Sequence, residues 1–311
     1  MKKIIIAALA VISLTTACSD EEETLFTDYD KNWFVIDDNP ADPAQHAAYE
    51  FYRDFGVPVF YNDTIGSQQR VDLWGNTYTH YETLTLSYAM GGNLTSFADP
   101  SITNYTLCDK SCGPTALQWL REEVMPSIPE KAHIHSIFLV ESLYSMAHGT
   151  YAFRGVNTIV IGHASRLGSM SASEAKTCKG AILRAALTDL LFNKGLFDSQ
   201  ISLFGKITTD QDESAYNLYT GGKWQQDAQG NWYQVKPDIY ALGFIGVSPS
   251  NSYYTPADLQ ADFLMYLEKL LTTEESEFDA TLSTDGKPFG NYAAIMQKKK
   301  IVLDILASLG L

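Results

Sequence analysis

Ser171-Ala172-Ser173-Glu174-Ala175-Lys176-Thr177-Cys178-Lys179-Gly180-Ala181-Ile182-Leu183-Arg184-Ala185-Ala186-Leu187-Thr188-Asp189-Leu190-Leu191-Phe192-Asn193-Lys194-Gly195 is the stretch whose reading decides the fold. Ser171-x-x-Glu174 is a capping box, in which each side chain bonds the other residue's backbone N–H. Ile182, Leu183, Ala186, Leu187, Leu190 and Leu191 recur at helical spacing and make a wide apolar stripe. Gly195 suits the C′ position that ends a helix. The stretch therefore predicts one long helix with a buried side, and it contains no histidine.

Working outward, further elements follow. Asp42, Pro43 and Gly56 bracket a helix over 43–55 as N-cap, first turn and terminator. Gly56 to Tyr61 reads as an extended segment, and residues 71–88 as one or two strands rich in Thr and Tyr. Gly113-Pro114 opens a helix with Leu117, Leu120 and Val124 on one face. His135 to Leu143 and Thr158 to Ile161 are runs of buried-strand type. Residues 222–236 predict a hairpin around Asp227-Ala228-Gln229-Gly230-Asn231, with Trp224 and Trp232 in its arms. Thr255-Pro256 caps a helix carrying Leu259, Phe263, Tyr266, Leu267 and Leu270. A last helix runs from Asn291 as N-cap to Leu309, with Lys298, Lys299 and Lys300 as its solvated face. No internal repeat stands out. The pattern predicts one α+β domain over residues 31–311, with a small mixed sheet and several helices.

Of 311 residues, 45% are apolar, enough for a packed core, and the formal net charge is −15. That acidity excludes nucleic acid as a partner, since a phosphate backbone needs a basic face. No apolar run of about 18 residues follows the N-terminus, which excludes a polytopic membrane protein. Lys2 and Lys3 followed by the short apolar run Ile4–Ala17 form a signal peptide over residues 1–17. Leu14-Thr15-Thr16-Ala17-Cys18 resembles a bacterial lipoprotein signal, with Cys18 acylated as the first mature residue; ordinary cleavage at the same bond is the alternative. Cleavage leaves 20 basic against 37 acidic residues, a formal charge of −17. The acidic tract Ser19-Asp20-Glu21-Glu22-Glu23 opens a tether over 18–30 and resembles the surface-export signal of Bacteroidetes-type lipoproteins. The expected address is the outer membrane, lipid-anchored and facing outward.

The order of elements resembles a family of Bacteroidetes lipoproteins classed as zinc-binding metallopeptidases, with a zincin-like core. Four stretches carry the likeness: Phe55 to Asn62; Leu117 to Leu143; the capped helix 171–195; and Leu242-Gly243-Phe244-Ile245 with Ala261-Asp262-Phe263 and Lys299 to Leu306. Metal-bearing members carry His-Glu-x-x-His on the helix that corresponds to 171–195. That spacing grips zinc with two imidazoles and places the Glu as base for the attacking water. Here the same stretch reads Lys179 to Asp189 with no His, and the whole chain holds no His-x-x-x-His. The resemblance thus implies a non-catalytic relative, without metal or other cofactor, whose catalytic residues cannot be carried over.

Other constellations are weaker. His133 and His135 share a strand face, and Glu141 is a third candidate metal ligand; the alternative is a solvated strand entry. Cys108 and Cys112 suit a small disulfide loop in an exported protein, with free buried thiols or a metal site as alternatives. Cys178 reads as a packed side chain. His148 and His163 read as structural, and Ser165 and Ser169 lack a nucleophile elbow. Asp210, Asp212 and Glu213 read as an acidic loop, and Met90 to Asn93 as a turn. Trp74, Tyr78, Tyr81, Tyr105, Trp224, Trp232, Tyr233, Tyr253 and Tyr254 fall in loops or hairpins. Flat rings with polar handles suit sugar faces and protein interfaces, and Trp224, Trp232 and Tyr233 form the candidate binding surface. Three functions compete: a surface lipoprotein binding a glycan, a peptide or an outer-membrane uptake complex; a metallohydrolase with scattered ligands; and a structural assembly lipoprotein.

Overall fold

The computed structural model describes residues 31–86, 103–145, 148–212, 219, 223–235, 238–247, 255–256 and 258–311. Cys18, the acidic tether, Met90 to Asn93, Glu213, Tyr253 and Tyr254 lie outside them. The fold is mixed α+β. The described residues form two compact units, one of 31–33 with 66–82 and one of the remainder. The first unit is dominated by a hairpin of β2 (Thr64–Val71) and β3 (Thr77–Thr83). The strand expected within 71–88 is thus β3, and its partner lies earlier in the chain.

The second unit begins with α1 (Pro43–Phe55), whose N-terminal N–H groups donate to the Asp42 carboxylate and whose end is turned by Gly56 at φ 69°. Here only a residue without Cβ sits easily. Next come β1 (Val59–Phe60), β4 (Thr103–Leu107) and α2 (Gly113–Trp119), which continues as a π-helical turn over Leu120–Val124. Then follow β5 (Ile137–Ser145), β6 (Ala152–Arg154) and β7 (Ile159–Ile161). The sheet order is β1-β5-β7-β6. β1 and β7 flank β5 in parallel, β6 closes that edge antiparallel, and β4 pairs antiparallel with the far half of β5. Alternation divides the sheet's side chains between two layers. Val59, Ile137, Leu139, Ile159 and Ile161 pack with α2 and the next helix, whereas Phe60, Phe138, Phe153 and Val160 pack on the opposite side.

That next helix is α3 (Ala172–Phe192), opened by the Ser171–Glu174 capping box. It stops at Phe192 with Asn193 as cap, so Gly195 lies one position beyond the expected C′, still left-handed at φ 68°. α3 spans about 31 Å at the usual rise per residue. Up to Ala186 it packs on the sheet; from Leu187 onward it packs among α4 (Asp198–Gln211), α5 (Leu259–Thr272), α6 (Glu275–Ala280) and α7 (Ala293–Ser308). Between α4 and α5 lies the hairpin β8 (Lys223–Gln226) and β9 (Trp232–Val235), as expected. None of the described helices is long and apolar enough to cross a membrane.

Several expectations are corrected. α4 takes Asp210 out of the expected acidic loop and sets it in its last turn, ion-paired to Lys206, while Asp212 follows in extended backbone as the C-cap. α5 is capped by Asp258 rather than Thr255. Asn291 belongs to a 3-10 turn, and α7 starts after Tyr292 without a side-chain cap. The largest correction concerns the lysine run. Lys298 is 0% exposed and Lys299 3%; only Lys300 is solvated, paired to Asp304 at 2.8 Å. Lys299 is held by Asp279 at 2.6 Å and Glu275 at 2.9 Å. Lys298 meets Asp262 of α5 at 2.6 Å. Buried cations survive when paired in this way.

Candidate functional site

Every residue of α3 from Gly180 to Leu187 is buried. Gly180 lies against Thr272 of α5, so closely that an added Cβ would collide with its methyl. The one charge in this stretch, Arg184, is locked inside. Its Nη2 donates to the carbonyl of Ala152 on edge strand β6 at 2.5 Å and to that of His148 at 3.3 Å. Its Nη1 pairs with Glu268 of α5 at 2.6 Å. Burial lowers the basicity of the guanidinium and Glu268 opposes that shift. His148, half-buried beside it, is pushed down to about 4 by desolvation and by the Arg184 charge, so it is neutral at physiological pH. The interior of this helix is thus filled by Ala, Ile and Leu with one internal ion pair.

The three candidate ligands do not meet. His133 and His135 are exposed before β5, their rings 4.5 Å apart edge to face. Burial, then His133 and Arg154, lower the His135 pKa. Glu141 lies six residues on, about 20 Å along an extended strand. There it accepts from Ser165 Oγ at 2.7 Å, and its carbonyl accepts from the His163 N–H at 3.1 Å. His163 is the one described non-glycine residue with positive φ, at 59°. The Glu141 contacts explain that conformation as a corner leaving β7, with the ring against Tyr151 at 5.3 Å. No group of three metal-competent side chains occurs among the described residues.

Cys108, Cys112 and Cys178 are free thiols here. Cys108 donates to the carbonyl of Leu139 at 3.2 Å. Burial, aided by neighbouring Cys112, pushes its pKa up to about 12, and burial alone does the same for Cys178; Cys112 is raised by burial first and then by the Glu141 charge, against its contact with Cys108. All three are therefore protonated and poor nucleophiles.

The remaining candidate is the β8–β9 hairpin. Its register sets Trp224 opposite Gln234, Gln225 opposite Tyr233 and Gln226 opposite Trp232. Opposed residues share a face, so Trp224, Gln226 and Trp232 lie together while Gln225 and Tyr233 take the other side. The Tyr233 hydroxyl donates to Gln225 Oε1 at 3.3 Å. Trp224 is 53% and Trp232 65% exposed, and Tyr233 is exposed as well. Asp227 fixes the turn. Its Oδ1 accepts from the Gln229 and Asn231 N–H groups at 2.9 and 2.8 Å, and its Oδ2 from Asn231 Nδ2 at 3.1 Å. These bonds, those from Asn231 foremost, hold the carboxyl below its ordinary range. Gly230 completes the turn at φ 86°.

Asp72-Leu73-Trp74-Gly75-Asn76 makes the same turn between β2 and β3. Asp72 Oδ1 accepts from Trp74 and Asn76 at 2.9 and 2.8 Å, Oδ2 from Asn76 Nδ2 at 3.1 Å, and Gly75 sits at φ 83°. Leu73 and Trp74 at its tip are exposed, as are Tyr78 and Tyr81 in β3. Asp-x-x-Gly-Asn therefore occurs twice as one structural unit, although no repeat stands out along the sequence. No protein-family model, curated protein or solved structure matches the chain.

Two residues escaped sequence reasoning. Arg184 carries no motif of its own, and Lys298 is expected from the run 298–300 to be solvated. The available signal lay in their surroundings: Arg184 stands between Leu183 and Ala185, Lys298 has Ile295 and Val302 at helical spacing, and acids lie at Asp262 and Glu268 on the neighbouring helix.

Proposed function

We propose that this chain is a surface-displayed lipoprotein of the outer membrane, anchored through Cys18, and a non-catalytic relative of zincin-like metallopeptidases that acts by binding. The support for the family reading is the order of elements, with a capped central helix leaving the sheet after β7 and its interior positions taken by apolar side chains. The observation that carries the binding reading is the exposed face of β8–β9, where two indoles flank an amide. Flat rings stack on the apolar faces of sugars, and an amide such as that of Gln226 can donate to and accept from hydroxyls. A body carrying such an excess of acid repels polyanions. The fitting ligand is therefore an uncharged glycan, with a peptide or a partner of an uptake complex as the rival outcomes.

The test presents neutral polysaccharides on an array and then measures the hits by calorimetry. Wild-type protein should bind. Trp224→Ala and Trp232→Ala should each weaken binding about tenfold, as expected for the loss of one stacking contact of roughly 1.4 kcal/mol. Absence of any glycan hit, with capture of an outer-membrane protein unaffected by either substitution, would move the function to assembly. Stoichiometric zinc held through histidine, with chelator-sensitive peptide cleavage, would replace binding by hydrolysis. Loss of fatty-acid labelling in Cys18→Ser tests the anchor separately.

A further inference from the structure

The buried contact between α5 and α7 holds a chemistry that a simple ion pair leaves unexplained. Lys298 Nζ lies 2.6 Å from Asp262 Oδ2, and both side chains are fully buried. Aromatic rings enclose the amine: Phe204 at 4.5 Å, Phe244 at 4.7 Å and Tyr266 at 5.9 Å from Nζ. Tyr266 is itself pinned, its hydroxyl donating to the Gly243 carbonyl at 2.8 Å. Gly243, at φ 84°, leaves room for the lysine stem, whose Cδ lies 3.4 Å from where a Cβ would stand. The Tyr219 hydroxyl donates to Oδ2 at 2.8 Å. The other carboxyl oxygen, Oδ1, is buried with no partner among the described residues. A lone oxygen sealed in such a place has lost its hydration with nothing in return.

We propose that Lys298 and Asp262 condense to an intramolecular amide, an isopeptide bond that joins α7 to α5. The reaction uses what the site contains. An unprotonated lysine nitrogen attacks Cγ of the neutral carboxylic acid, and the N–C bond forms. Charge developing on Oδ2 is held by the Tyr219 hydroxyl, in the manner of an oxyanion hole. A proton passes from nitrogen to the Oδ1 hydroxyl, the C–Oδ1 bond breaks, and one water leaves. Amine plus acid gives amide plus water, with no oxidant and no cofactor. The oxygen retained is the one that has a partner, and the oxygen lost is the orphan.

Two further conditions favour the step. Burial raises the Asp262 carboxyl and lowers the Lys298 amine, each against their mutual attraction, so both move toward the neutral forms that react. Nζ lies 2.6 Å from Oδ2, one bond short of Cγ, so the reacting groups are already held together, as intramolecular attack requires. The aromatic wall also keeps out the water that would reverse the bond.

Peptide mapping of the full chain by tandem mass spectrometry decides the matter. A branched peptide is expected, carrying the Asp262 and Lys298 segments together, lighter than their sum by one water and uncut after Lys298. Tyr219→Phe should slow its appearance during refolding while leaving the product unchanged in mass. Lys298→Arg and Asp262→Ala should abolish it. Linear Asp262 and Lys298 peptides recovered quantitatively from folded wild-type protein would overturn the proposal. So would a water loss that maps elsewhere, such as a cyclised Asp285-Gly286.

Discussion

Residues 180–187 of α3 are all buried, Arg184 among them, whereas Trp224, Trp232 and Tyr233 on the β8–β9 hairpin all face solvent. The difference is access. In α3 the one buried charge, Arg184, already has protein partners, so the helix is committed to holding the sheet against the bundle. In the hairpin a five-residue turn satisfies its own backbone through Asp227, which leaves the ring faces without structural duty. A substitution should therefore act on stability in the first region and on recognition in the second, and the predictions follow that division.

The largest effect is expected from Leu187→Asp. Leu187 lies where α3 passes from the sheet layer into the bundle and is fully buried. A carboxylate there has neither water nor a cation, and the cost is about 4 kcal/mol or more. Thermal melting followed by circular dichroism should show no cooperative transition at room temperature and above. A wild-type melting curve would mean that the helix is not central.

Next come Lys298 and Lys300, two positions apart on α7 but opposite in surroundings. Lys298→Ala leaves Asp262 sealed without its partner and should cost about 3–5 kcal/mol in urea denaturation. Lys300→Ala removes only an exposed pair with Asp304 and should change stability by less than about 0.5 kcal/mol. Replacing both buried partners by apolar residues, as in Asp262→Leu with Lys298→Met, should recover the share of the loss that comes from the stranded carboxyl, though not the contribution of the proposed amide. Equal effects at 298 and 300 would return the lysine run to the surface.

Gly180→Ala should be smaller. Alanine favours the helix by about 1 kcal/mol, but its Cβ would meet the Thr272 methyl at the α3–α5 contact. The expected net loss is about 1–2 kcal/mol. Adding Thr272→Ser removes that methyl while keeping the hydroxyl bonds to Glu268 and Lys269. The double variant should equal or exceed wild type, and a failure to recover would place the strain elsewhere.

What could be read in advance follows from whether a signal is local. The α1 caps, the α3 capping box, the buried runs of β5 and β7 and the Asp227 turn are written in neighbouring residues. α4 was missed because Phe197 offers no side-chain cap and Gly205, Thr208 and Thr209 weaken its propensity, while Ile201, Phe204 and Ile207 still keep helical spacing. The lysine run was misread because Lys298 finds Asp262 across 36 positions of sequence, and no periodicity reports a partner so distant. The scattered set His133, His135 and Glu141 failed for the converse reason: nearness in sequence along a strand separates side chains, whereas nearness in space must come from different elements. The hairpin aromatics were legible because a hairpin turn and its register are set by a few adjacent residues.

The smallest effect sits at the exposed start of α3, where the sealed helix first meets water. Glu174 closes the capping box on Ser171 and pairs with Arg166 at 2.7 Å. Arg166 first, and then the Ser171 N–H, hold its carboxyl down at about 2 against an ordinary 4.5. A depressed folded value means that the charged form belongs to the folded state. Its contribution is fully present above about 4.5 and is lost as pH falls toward about 2. Glu174→Gln keeps the reciprocal cap, since glutamine serves in the same box, but cannot pair with Arg166. Wild type should therefore melt higher than the variant at pH 7, and the two curves should converge between pH 4.5 and 2. Parallel acid limbs would show that Arg166 and Glu174 contribute through the cap alone and that the ion pair is screened by the water around it.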